Sequence, residues 1–168
     1  MKYEIIKEIE NGDYRYFTTS TFYNPLALEK AQSLMKFVII NINQHYFHGE
    51  RGKYLRGYIF MHNQYNRTPH FHLIIKNNKQ FDKHKNKYGH DFEHVYKEIL
   101  TTTPRYYSSK YKDVFKEDGL HVREYNPCTE EDNFSDVKYG MKEFYWPQNG
   151  YDCYSILTKD GFVDFCDF

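Results

Sequence analysis

His70 and His72 stand two residues apart in the run His70-Phe71-His72-Leu73-Ile74-Ile75. In an extended strand that spacing sends both imidazoles to one face while Phe71 turns to the other. Two neighbouring imidazoles are the start of a metal-ligand set. The preceding stretch, Asn63-Gln64-Tyr65-Asn66-Arg67-Thr68, is polar and turn-like, and Pro69 is tolerated where a strand opens, so the region reads as a hairpin. An antiparallel register that sets His62 opposite His70 adds a third imidazole to the same face. Three histidines converging on one cation leave positions open for water or a phosphate oxygen. The plainer reading of each is an exposed or internally satisfied histidine; three of them at the two arms of one hairpin favour the metal.

Tyr139 and Lys142 lie three apart in Val137 to Trp146, where apolar periodicity predicts a helix, so the two share a helix face. A phenol, with its free pKa of about 10, attacks a phosphodiester only if a cation activates the phosphate and donors such as lysine hold the developing charge. The tyrosine and the histidine hairpin therefore need each other. Alone, Tyr139-Gly140-Met141-Lys142 is a weak signal in a chain with 18 tyrosines, equally readable as a structural tyrosine beside a solvated lysine. His84, His90 and His94 form a rival histidine group, with His90 and His94 at helical zinc spacing. Asp91 follows His90, so no HExxH pattern is present and surface histidines are the favoured reading. His121 reads as a core residue or a neighbour of the site. Arg51, Lys53 and Arg56, with Tyr54, and Arg67 in the hairpin turn are candidates for lining a single-strand groove, against the simpler alternative of solvated charges.

These residues need a scaffold. Tyr14 to Phe22, rich in Tyr, Phe and Thr after the turn Asn11-Gly12-Asp13, reads as a strand. Asn24-Pro25 opens a helix whose apolar residues run from Leu26 to Ile42, and the polar stretch from Asn43 to Gly52 ends it. Lys53 to His62 reads as the first hairpin strand and His70 to Ile75 as the second. A Lys- and Asn-rich connection follows, then a helix over Asp91 to Leu100, a long polar loop and a strand over Leu120 to Tyr125. The carboxylates of Thr129 to Asp136 suit the start of the Val137 to Trp146 helix, which Pro147 stops. The tail, 147–168, reads equally as a strand or an ordered coil. The pattern is α+β: a central antiparallel β-sheet flanked by helices, in a single domain over 1–168.

Composition narrows the class. The chain has 168 residues, with 23 Lys plus Arg against 23 Asp plus Glu, so no net positive field drives non-specific binding to duplex DNA, and any nucleic-acid contact is local. Aromatics make up 20% while alanine occurs only at Ala27 and Ala31, so the core is built largely from Phe and Tyr. Cys128, Cys153 and Cys166 form no C-x-x-C pair and leave an odd thiol, which points to a reducing, cytoplasmic compartment. No apolar run approaches a membrane span and the N-terminus lacks a signal-peptide stretch, so the expected protein is soluble and has no membrane partner.

Taken in order, the strand Tyr16-Phe17-Thr18-Thr19-Ser20-Thr21, the hairpin end Arg67-Thr68-Pro69-His70-Phe71-His72 and Tyr139-Gly140-Met141-Lys142 resemble motifs I, II and III of the HUH endonucleases, the initiators of rolling-circle replication. The layout is most similar to the replication proteins of filamentous phages and prophage elements, with Leu73-Ile74-Ile75-Lys76-Asn77-Asn78 following the His-x-His strand. The resemblance covers Tyr14 to Trp146. It implies an HUH/Rep-like (ferredoxin-like, RRM-like) fold and metal-dependent nicking and joining of single-stranded DNA. Tyr139 would be the nucleophile, forming a 5′-phosphotyrosine and freeing a 3′-hydroxyl, and Lys142 would hold charge at the scissile phosphate. His70 and His72 would bind Mg²⁺ or Mn²⁺. Family members often supply a Glu on the preceding strand where this chain offers His62, and the softer imidazole tilts the preference toward Mn²⁺ or Zn²⁺. The implied partners are a single-stranded DNA origin, or a hairpin within it, and a helicase of the host or of the element. Two other classes remain open: a non-catalytic single-strand nucleic-acid-binding module of the same fold, and a structural zinc-binding protein.

Overall fold

The computed structural model describes residues 2–22, 27–64, 69–107, 115–126, 150–164 and 166–167. Its elements in chain order are α1 (Lys2–Glu10), β1 (Tyr14–Phe22), α2 (Leu28–Phe47), β2 (Gly57–Gln64), β3 (His70–Lys76), α3 (Lys79–Tyr88), α4 (Phe92–Tyr107), β4 (Phe115–Glu124), β5 (Gly150–Thr158), β6 (Gly161–Phe162) and β7 (Cys166–Asp167). The fold is α+β, and every strand pairing is antiparallel in the order β4-β1-β3-β2-β5-β6, with β7 also on β5.

Strand alternation gives the sheet two different faces. Ile59, Met61, Phe71, Leu73, Ile75, Leu120 and Leu157 point to one side and form the main core with Leu34, Met35, Val38 and Ile42 of α2 and with Phe81, Phe92 and Tyr96. Thr18 and Ser20 of β1 also face this side, fully buried. Their hydroxyls bond the Tyr96 phenol at 3.1 and 2.6 Å, tying α4 to the sheet, and burial pushes that phenol up to about 12. On the opposite face Ile5, Ile6 and Ile9 of α1 cover Tyr14, Phe17, Tyr58, Phe60, Ile74 and Tyr154. The Tyr58 hydroxyl donates to Glu8 at 2.7 Å and fixes α1 there. The histidines of β2 and β3 occupy the same face, beyond the patch that α1 covers.

Several elements depart from the expectations above. α2 does not end at Asn43 but runs to Phe47, with Asn43, Tyr46 and Phe47 buried. The Asn43 amide donates to the carbonyls of Thr158 and Lys159 at 3.1 and 3.2 Å, and its oxygen accepts the Leu55 N–H at 2.6 Å. A residue that reads as a breaker is thus a buried tie between α2, the entry to β2 and the β5–β6 turn. His48, in the left-handed conformation, caps the helix. The Lys- and Asn-rich connection is a helix, α3: the Asn78 side chain accepts from Gln80 N–H at its start, Gly89 closes its end with a positive φ, and Phe81 is buried. A two-pronged Arg15–Asp82 pair at 2.8 and 3.0 Å anchors it to β1 and holds the Asp82 carboxyl below its ordinary range.

β2 begins at Gly57, so Lys53, Tyr54 and Arg56 lie in the connection before it rather than in a strand. α4 continues past Leu100 through Pro104 to Tyr107, held on α2 by buried Thr103, whose hydroxyl accepts from Asn41 at 2.8 Å. β4 starts five residues earlier than Leu120, at Phe115. α1 lies where the sequence carried no element reading, and the tail supplies β5, β6 and β7. The expected helix over Val137 to Trp146 lies outside the described residues.

Candidate metal centre

β2 and β3 pair with His62 directly opposite His70, and Phe60 opposite His72. This is the register that brings three imidazoles to one face. The ring centroids lie 4.8 Å apart for His62 and His70, 4.6 Å for His62 and His72, and 5.3 Å for His70 and His72. One ring nitrogen from each lies within 4.8 Å of the other two, and His62 Nδ1 is 3.0 Å from His70 Nε2. Ligand bonds of about 2.0–2.1 Å from nitrogen to zinc need nitrogens roughly 3–3.5 Å apart, so modest closure completes the set. Among the described residues it is the one group of three or more metal-ligating side chains gathered this closely.

The cluster is held from behind. Thr19 is the Cα partner of His72 on β1, and its hydroxyl lies 3.0 Å from His72 Nδ1, with the Thr18 carbonyl at 3.3 Å. A carbonyl only accepts, so this contact puts the proton on Nδ1 and presents Nε2 as the ligand atom. Phe17 stacks on the His72 ring at 5.1 Å and 22°, and the Arg123 guanidinium of β4 lies over the Phe17 ring, 4.6 Å from its centroid. His62 and His72 are 0% and 1% exposed, whereas His70 is half-buried. Access to the centre is therefore from the His70 side.

The fit to a cation is good: three nitrogen donors, one with its tautomer set by a second partner, and an open approach. Three imidazoles suit borderline transition ions better than Mg²⁺. Thr19→Val keeps the shape and removes the hydroxyl. It is expected to weaken Mn²⁺ or Zn²⁺ binding roughly 10–100-fold in calorimetric titration, the usual cost of losing an outer partner of a ligand histidine, with the melting temperature little changed.

The other sequence candidates separate into two groups. Tyr139, Lys142 and Arg67 lie outside the described residues. Arg51, Lys53 and Arg56 are described, and they do not join the centre. Lys53 pairs with Glu50, and Arg56 stacks over Tyr54 at 4.6 Å. They precede Gly57, and His62 lies five residues further along β2, about 17 Å at the usual rise per residue. His90 and His94 stack at 4.1 Å on the surface, where His94 pairs with Glu98. Thr19 and Phe17 were the missed neighbours; His121, read as a core residue or a neighbour of the site, is the Cα partner of Thr19 on β4 and is exposed on the edge of the same face. Only the pairing register reveals them, and nothing in the local sequence states it.

No protein-family model matches the chain, and no curated protein or solved structure matches it. Among the described residues no helix is long and apolar enough to cross a membrane.

Proposed function

We propose that the protein is an HUH/Rep-type, metal-dependent enzyme that nicks and joins single-stranded DNA through Tyr139, as an initiator of rolling-circle replication. The observation that carries the reading is the three-imidazole cluster formed by the first and third residues of the His-x-His strand and by His62 opposite them. Topology adds support. β4 ends at Glu124, at the Tyr16 end of β1, whereas β5 begins at Gly150, opposite Gln64 and two residues from His62. β5 therefore begins beside the cluster.

The chemistry is a transesterification. The Tyr139 oxygen forms a bond to phosphorus as its proton departs, the bond from phosphorus to the 3′ oxygen breaks, and that oxygen takes up a proton. One phosphoester replaces another, so no nucleotide triphosphate is needed, and the reverse reaction joins strands. A divalent ion held by His62, His70 and His72 would polarise a non-bridging phosphoryl oxygen. Lys142 would neutralise charge at the same phosphate. Mn²⁺ or Zn²⁺ suits this donor set better than Mg²⁺.

The near-complete burial of His62 and His72 favours one second reading, a structural zinc site. Both are tested together. The protein is mixed with a labelled single-stranded origin oligonucleotide and Mn²⁺, and a band that survives boiling in SDS is sought. The expected result is an adduct that needs the ion and vanishes in Tyr139→Phe with DNA affinity and folding retained. Binding without an adduct would support a non-catalytic module, and unfolding on chelation would support structural zinc.

A further inference from the structure

Of the nine histidines, four lie on the sheet: His62, His70, His72 and His121. The other five, His45, His48, His84, His90 and His94, gather on the helical layer, behind the opposite face. Two of them stand apart. The rings of His45 on α2 and His84 on α3 face each other with centroids 4.4 Å apart, tilted by 52°. His45 Nε2 and His84 Nδ1 are both shut off from solvent, and neither finds a hydrogen-bond partner among the described residues. A buried polar nitrogen without a partner is costly, and here two lie on adjacent rings.

The surroundings set the chemistry of the pair. Burial first, and then the neighbouring His84, lower the His45 pKa, which keeps its imidazole in the neutral form that binds metals. The Glu98 carboxylate on α4 acts on His45 in the direction that favours a cation there. Glu98 is also held 3.5 Å from His94 on the surface. Tyr46 and Tyr88 wall the pair, with ring centroids 5.2 and 4.7 Å from that of His84. An open cleft of about 800 Å³ between α2 and α4 is lined in part by His45.

We propose that His45 and His84 form a second metal site, for a borderline transition ion such as Zn²⁺, with water completing the coordination. Imidazole pairs suit zinc and its neighbours and disfavour Mg²⁺ and Ca²⁺. An ion there bridges α2 to α3 and is separated from the first centre by the sheet, so the inference stands independently of the nicking reaction.

The test is zinc titration of the full chain at micromolar concentration, followed by calorimetry and repeated with Co²⁺ to read the ligand field. Wild type is expected to bind two equivalents. The double variant His45→Gln/His84→Gln is expected to bind one, and the triple variant His62→Ala/His70→Ala/His72→Ala to keep one. Two equivalents in the Gln variant, or a single wild-type equivalent that the Gln variant retains, would overturn the proposal. If the triple variant does not fold, the comparison of wild type with the Gln variant decides alone.

Discussion

His72→Ala is expected to weaken Mn²⁺ or Zn²⁺ binding by more than the roughly 10–100-fold that losing an outer partner costs, because it removes a ligand itself. His72 is the most constrained of the three: Thr19 and the Thr18 carbonyl fix its ring, and Phe17 stacks on it. The clearest readout is thermal. An ion present at a hundred times its Kd stabilises the folded chain by about 2.7 kcal/mol, or roughly 5–10 °C in a domain of this size, and the variant should lose that increment. Half-buried His70 is the useful comparison, since His70→Ala should lose the same increment with less damage to the metal-free protein. A full metal-induced shift in His72→Ala would remove this residue from the centre.

Gly57→Ala is expected to destabilise the fold by at least about 3 kcal/mol, a fall in melting temperature of roughly 6–12 °C. Gly57 opens β2 with φ +144°, and a Cβ there would sit 2.0 Å from the Ile74 carbonyl oxygen, a backbone atom that cannot step aside. The effect should reach further than stability. The strand could relieve the clash by slipping against β3, and a slip of one residue turns every side chain of β2 to the other face. His62 would then point into the core under α2 rather than toward His70. Loss of metal binding together with stability, from a residue five positions away, is therefore the expected pair of results in calorimetry and thermal melting. A variant that melts normally would show that the chain tolerates this close approach.

The three-histidine cluster was legible because it depends on the two-residue period of a strand and on one hairpin register, a trial pairing of His62 with His70 that the structure bears out. β1 was legible for the same reason. What misled was composition without partners. Asn43 reads as the end of a helix because its burial depends on Leu55, Thr158 and Lys159, distant in sequence. α3 reads as a linker because it buries only Phe81 and otherwise shows charge to solvent, its order coming from Asn78, Gly89 and the pair Asp82 makes with Arg15. Arg51, Lys53 and Arg56 lie in the connection before β2 and not in the strand expected from Lys53, because the strand begins only at Gly57. Thr19 is invisible without the β1–β3 register, although it sits between His72 and His121.

The three bonds of Asn43 also bear on how the molecule opens. One amide joins the C-terminal end of α2, the segment entering the histidine-bearing β2 and the turn that closes β5 on β6. These stretches, far apart in the chain, cannot come loose separately without stranding buried donors or acceptors. In native-state hydrogen exchange the Leu55 amide should open only with α2 and the β5–β6 hairpin, as one cooperative unit. The last hairpin thereby becomes a brace for the metal-bearing strand, and local breathing at the C-terminal end of the sheet is coupled to the precision with which His62 meets its two partners.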